Sequence, residues 1–170
     1  STASDGIYRF STGTVLPAKG TMTIVQKASG FYILFNKYPD FEFGTDTDPF
    51  VPNMIKIGGK MTLANGGDEV ILSNPSDETV DVVVYGNGFY PGVTPHSGVA
   101  EEHSIEREPS DNDTNDCSTD FVDRYPPTPQ TLRNISVSPT AGTVGSIVTI
   151  IGQGFFATEE IAIDFGTTST

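Results

Sequence analysis

The densest run of oxygen ligands in the chain is Asp111-Asn112-Asp113-Thr114-Asn115-Asp116. Side-chain oxygens at alternating positions suit Ca2+, which takes about 6–8 oxygen ligands in flexible geometry. Asp111, Asp113 and Asn115 stand at the first, third and fifth positions of an EF-hand loop, but Asp116 replaces the required glycine and Val122 the bidentate glutamate. The run is therefore not an EF-hand. Two readings stay open: an irregular Ca2+ site built from Asp111, Asp113, Asn115 and Asp116, or a solvated connection between strands.

Other reactive side chains lack the company that chemistry needs. His96 and His103 are seven residues apart, outside any H-E-x-x-H or C-x-x-C context, so zinc is not expected. Cys117 lies between Asp116 and Asp120, an acidic setting that does not suit a nucleophilic thiolate. Glu101, Glu102, Glu106 and Glu108 contain enough carboxylates for a glycosidase pair, and a charged surface contains as many. Asp40, Glu42, Asp46 and Asp48 read as a solvated acidic loop, with cation binding as the alternative. There is no G-x-S-x-G elbow and no G-x-x-x-x-G-K phosphate loop. No catalytic activity is expected.

The net charge of −13 makes nucleic acid a poor partner, and an anionic membrane surface likewise. The acid is concentrated: residues 101–124 hold nine Asp and Glu against Arg107 and Arg124. No apolar run approaches the roughly 18 residues of a membrane span, so no membrane insertion is expected of this segment. A single cysteine excludes an intrachain disulfide. Asn112-Asp113-Thr114 and Asn134-Ile135-Ser136 are formal N-glycosylation acceptors.

The acidic run must be positioned by β structure. Gly and Pro together number 30 of 170 residues and the charged fraction is 18%, a profile of many turns between short strands. Val70-Ile71-Leu72 and Val80 to Tyr85 are dense in β-branched residues. Asn74 to Thr79 between them is rich in turn formers, which predicts a β-hairpin. Val82 or Val84 should be in the core. Upstream, Ile7 to Phe10 and Thr21 to Gln26 alternate as strands. Phe31, Leu34, Phe35 and Tyr38 fall on one stripe of a short helix, capped by Ser29, stopped by Pro39 and expected to face a core. Phe41 to Met61 reads as loop.

These residues resemble a prokaryotic-type lamin tail domain, an immunoglobulin-like β-sandwich. The resemblance rests on Gly67-Asp68-Glu69-Val70-Ile71-Leu72, Val80-Asp81-Val82-Val83-Val84-Tyr85-Gly86, Ser104-Ile105-Glu106-Arg107, and Asp120-Phe121 with Pro127-Thr128-Pro129. Gln130 replaces the family's closing glycine, and Phe89 or Tyr90 the tryptophan common after the tyrosine strand. Ile7-Tyr8-Arg9-Phe10 and Pro17-Ala18-Lys19-Gly20 are similar to the middle of that family, and its first strands are not found before them. Ser1 is thus expected to fall inside the domain.

Beyond the proline-rich stretch 125–130, Asn134 to Thr170 alternates strands with glycine turns: Ile135 to Ser138, Ile147 to Ile151 and Ile161 to Phe165. This pattern is similar to the opening of an IPT/TIG-like immunoglobulin domain. The fold class expected is all-β: an immunoglobulin-like β-sandwich with one short helix over residues 1–131, then an incomplete second immunoglobulin-like β domain over 132–170. Together the resemblances imply a non-catalytic structural or adhesive module of a large extracellular or cell-surface protein. Its partners would be neighbouring domains of the same polypeptide and a cell-surface protein or glycan. The alternative is an accessory carbohydrate- or substrate-binding domain of a secreted hydrolase.

Overall fold

The computed structural model describes residues 6–18, 20–129, 134–138, 147 and 149–153. The chain is mostly strand with little helix. In order run β1 (Ile7–Arg9), β2 (Ile24–Val25), α1 (Ala28–Phe35), β3 (Phe41–Glu42), β4 (Ile55–Gly58), β5 (Gly67–Ser73), β6 (Thr79–Gly86), β7 (Ser104–Arg107), α2 (Cys117–Asp120), β8 (Phe121–Arg124), β9 (Asn134–Ser138) and β10 (Thr149–Gln153). Among the described residues they form two-stranded sheets: β1 with β4, β2 with β3, β5 with β6, β7 with β8, and β9 with β10. All ladders are antiparallel except β2 with β3.

The expected hairpin is the longest element. Val70 pairs with Val83 and Ile71 with Val82 along a ladder that ends in a bulge at Leu72/Ser73. The Asn74 side chain builds its turn, accepting from the amides of Ser76 at 2.9 Å and Glu78 at 3.0 Å. Asp77 takes the left-handed conformation there, which Asn and Asp tolerate best after glycine. At the open end Gly86 has φ 58°, and a Cβ on it would lie 2.2 Å from the Gly66 carbonyl oxygen, so only glycine fits.

The outer edge of β6 is sealed rather than left bare. His96 donates its amide to the Val84 carbonyl at 2.9 Å and accepts the Gly86 amide at 2.8 Å. The Val84 amide donates to Cys117 Sγ at 3.4 Å. The thiol at the start of α2 thus stands where a strand residue would pair. Val82 and Val84 share the face turned to the interior, and both are buried, Val84 completely. With Ala28, Phe41, Val51, Cys117 and Phe121 they complete the buried apolar set among the described residues.

The structure corrects several expectations in the first half of the chain. Phe41 to Met61 is not all loop, since β3 and β4 lie in it. Their short length and interrupting glycines and prolines hide the period-2 signal. The second expected strand shrinks from Thr21–Gln26 to Ile24–Val25. Helix α1 begins one residue before Ser29, its N-cap is Lys27, and no side chain of that residue caps it. It closes on Asn36 in the left-handed conformation, three residues before Pro39. Its aromatic stripe is only partly covered. Phe31 and Phe35 are half-buried with centroids 4.8 Å apart, whereas Leu34 is exposed and Tyr38 stacks on Tyr32 at 4.5 Å. A second, one-turn helix, α2, was not expected.

In the C-terminal part the first two expected strands appear as the β9–β10 hairpin, with Val137 opposite Ile150. The expected boundary near Leu132 and the strand around Ile161 lie outside the described residues.

Burial separates Val84 from Val80 on the same strand, 0% against 59% exposed. Val84→Asp should therefore lower stability by more than about 3 kcal/mol, by placing an unpaired charge in the core. Val80→Asp should change it by less than about 0.5 kcal/mol. Urea denaturation of both variants checks the contrast, and equal midpoints would remove β6 from the core.

Candidate functional site

The acidic run of residues 111–116 lies between β7 and α2, and its positive centre is an arginine from the strand before it. Arg107 ends β7 with its side chain only 16% exposed. Nη2 donates to both carboxylate oxygens of Asp81 on β6, at 3.1 and 2.9 Å. Nη1 donates to the Asn112 carbonyl at 2.7 Å and lies 3.2 Å from Asp113 Oδ1 and 3.9 Å from Asp120 Oδ2. The guanidinium carbon sits 4.7 Å from the centroid of Phe121, a cation–π arrangement. The planar five-donor fork of arginine meets all of these acceptors at once, which a lysine cannot do.

Asp120 is the buried member of this group. It accepts from the Thr114 amide at 2.8 Å, the Thr114 hydroxyl at 2.8 Å and Asn112 Nδ2 at 2.7 Å. The Thr114 amide bond, then the Thr114 hydroxyl, the Arg107 charge and the Asp116 amide bond, hold its carboxyl below the ordinary range against the opposing effect of burial. The carboxylate thus folds the 112–114 segment around itself.

The four expected Ca2+ ligands have separate tasks. Asp113 faces Arg107. Asp116 is the N-cap of α2, accepting from the Ser118 amide at 3.0 Å and its hydroxyl at 2.6 Å. Asn115 takes φ 60° and donates its amide to Asp113 Oδ1 at 3.4 Å. Asp111 is exposed. Among the described residues, no group of three or more His, Cys, Asp or Glu is arranged to hold a metal ion.

A second buried carboxylate corrects the expectation for the loop of Asp40, Glu42, Asp46 and Asp48, because Glu42 is fully buried. It accepts from the amides of Ala28 at 2.8 Å, Thr47 at 2.8 Å and Asp48 at 3.3 Å, and from the Thr47 hydroxyl at 2.5 Å. Burial pushes its carboxyl up, but these donors outweigh burial and hold it below the usual range. The Ala28 amide is the first of α1, so Glu42 caps that helix from a distant strand.

Glu106, Glu108 and both histidines are also engaged, whereas Glu101 and Glu102 are exposed. Glu106 accepts from the Thr128 amide and hydroxyl at 2.8 Å, which ties the proline stretch to β7. Glu108 pairs with Arg124. His103 Nδ1 lies 2.6 Å from Asp123 Oδ1, and its ring stacks on Tyr125. His96 Nδ1 accepts the Gly98 amide at 3.1 Å, which fixes the proton on Nε2. An open groove of about 480 Å3 runs along β7, lined in part by Phe35, Ile105, Glu106, Pro127 and Pro129. No described helix is long and apolar enough to cross a membrane.

These features define a β-rich unit whose interior carboxylates hold loops in place. Comparison with protein-family models, with curated proteins and with solved structures found no match.

The sequence singled out the acidic run and missed its centre. Arg107 reads as part of a strand, and a basic residue four positions before a stretch of six with three aspartates is the signal that points to an internal ion pair. Arg107→Ala should destabilise the fold by about 2–3 kcal/mol, and Arg107→Lys should recover less than half of that. Thermal melts measure both. Since Asp113 is already paired with the guanidinium and Asp116 is committed to the cap of α2, millimolar Ca2+ should raise the melting temperature no more than ionic-strength-matched NaCl. A Ca2+-specific rise lost in Asp113→Asn would reverse that expectation.

The two depressed carboxyls also set a pH dependence. Each binds its proton more weakly folded than unfolded, so the stabilisation is complete above the unfolded carboxyl value and is lost as pH falls through the lower folded value. Urea midpoints should be flat from about pH 7 to pH 5 and fall below that. Glu42→Gln should be less stable at pH 7 and show a shallower acid decline.

Proposed function

We propose that this chain is a non-catalytic structural or adhesive module of a large cell-surface or extracellular protein. In this proposal residues 1–131 form an immunoglobulin-like sandwich of the lamin tail kind, and residues 132–170 belong to an IPT/TIG-like domain that follows it. The observation that carries the reading is the use made of the two buried carboxylates. Glu42 and Asp120 have their oxygens taken up by loop amides and hydroxyls and by an arginine. A general acid or base needs a free oxygen aimed at a substrate. Groups committed in this way hold loops at fixed positions, the task of a module that spaces or displays. The sequence motifs of the hairpin, of β7 and of the Pro127-Thr128-Pro129 stretch support the family, and the family supports the surface location. Neighbouring domains are its first partners, and a surface protein or glycan is the external one.

The accessory-domain reading differs in requiring polysaccharide affinity. Affinity electrophoresis of the chain through gels containing cellulose derivatives, xylan, chitin derivatives or mannan should show no retardation. Retardation by one of these polymers, lost on competition with its oligosaccharide, would favour the accessory domain over the spacer. A solution structure with the strands arranged in one open sheet would sink the sandwich itself.

A further inference from the structure

Asn65-Gly66 and Asn87-Gly88 meet at the open end of the β5–β6 hairpin. In an Asn-Gly pair the glycine nitrogen can attack the asparagine side-chain carbon, because the glycine has no Cβ to obstruct the approach. Both asparagines are exposed, so exposure does not separate them. Their glycine amides do. The Gly88 amide donates to the Tyr85 carbonyl at 3.0 Å, and a Cβ on Gly88 would stand 2.4 Å from the Asp68 carbonyl oxygen. Its main chain is therefore both bonded and tightly packed. Asn87 is held as well: its amide donates to the Gly66 carbonyl at 3.0 Å, and its Oδ1 would lie 2.5 Å from a Cβ on Gly67. Around Gly66 the space is open. Among the described residues nothing accepts the Gly66 amide, and a Cβ there would meet only Asn87 Oδ1, at 4.0 Å. No described group bonds the Asn65 side chain. The turn across this pair is closed by one long bond, from the Gly67 amide to the Ala64 carbonyl at 3.2 Å.

We propose that Asn65 is a site of spontaneous deamidation in the folded chain, and that the fold protects Asn87 from the same reaction. Hydroxide takes the Gly66 amide proton and the nitrogen bonds to Asn65 Cγ. The Cγ–Nδ2 bond breaks, and the nitrogen leaves as ammonia after taking a proton from water, which restores the hydroxide. Water then opens the succinimide ring at either carbonyl, leaving aspartate or isoaspartate at position 65. At Asn87 the same attack must first break the Gly88–Tyr85 bond and lift Gly88 off Asp68, so it waits for the hairpin end to open. The product has a structural effect because both flanks of Asn65 are anchored. The Ala64 carbonyl accepts the Tyr85 hydroxyl at 2.8 Å, the Ala64 amide donates to Asp68 Oδ2 at 3.0 Å, and the Gly66 carbonyl holds the Asn87 amide. Isoaspartate inserts one more atom into the main chain between these anchors, so the turn cannot keep all of them. Aspartate leaves the main chain unchanged and can. Conversion to isoaspartate thus loosens the join between the start of β5 and the end of β6. The reaction does not depend on the module's proposed role.

Peptide mapping by mass spectrometry during incubation at mildly alkaline pH follows both positions in one sample. In the folded chain Asn65 should convert faster than Asn87 by about tenfold or more, and in urea, where both glycine amides are free, the two rates should come together. Gly66→Ala fits the open space at a position without positive φ, so it should preserve the thermal melt. The added Cβ should slow conversion at position 65 by about tenfold or more. Asn65→Gln, which would have to close a larger ring, should keep its amide over the same period. Methyl transfer by an isoaspartyl methyltransferase measures the isoaspartate fraction. Chain enriched in that fraction should melt below the fresh chain, whereas Asn65→Asp should melt with it. An amide retained at position 65 while the urea-unfolded chain converts would overturn the proposal. So would equal folded-state rates at 65 and 87, indifference to Gly66→Ala, or an unchanged melt of the isoaspartate form.

Discussion

The guanidinium of Arg107 is the contact on which the second half of the chain depends. It reaches β6 through Asp81, the following loop through Asp113 and the Asn112 carbonyl, and the α2–β8 junction through Asp120 and the ring of Phe121. Residues 101–124 carry far more acid than base, and self-repulsion alone would open the segment. Two nearly buried cations, Arg107 and Arg124, set attraction against that repulsion where water screens it less well. Arginine suits the position because its fork satisfies several acceptors at fixed angles. Asp120 depends on it in turn, because its buried charge needs both the donors of Thr114 and a nearby positive group.

The same principle operates in the first half without a cation. Glu42 sits fully buried among amides and a hydroxyl, and those donors alone keep it charged. It joins the start of α1 to the 47–48 loop and gives a helix without a capping side chain its missing acceptor. The buried apolar set is small, so satisfied polar contacts hold much of the loop structure. Several large apolar side chains remain open to solvent, among them Leu34, Phe50 and Ile71.

Hydrogen bonding also explains how both edges of β6 are covered around Val82 and Val84. Its inner edge has β5, and its outer edge has an irregular segment at His96 and a thiol at Cys117. A cysteine is small enough to enter that edge, polar enough to meet the Val84 amide and apolar enough for buried surroundings. Its burial explains why a lone, unpaired cysteine stands in a β-rich chain without any catalytic or metal company.

The hairpin and the existence of one helix were legible because each is a local pattern, whereas β7 was reached only through the family resemblance. β-branched runs, turn residues with a defined φ, and a 3.6-residue apolar period act within a few residues of the chain. That the core lies at Val82 or Val84 was legible, and the exposure of Val80 on the same face was not. The two-residue strand β3 was hidden, since a pair that short carries no periodicity, and β2 was legible but drawn too long. The cap of α1 was misplaced for a related reason, as its acceptor comes from Glu42, fourteen residues away. In the acidic run, composition alone marked a place where charge must be compensated. Which group compensates it was decided by the meeting of β7 with β6, because a guanidinium acts only at contact distance and contact between distant segments exists only in the folded chain.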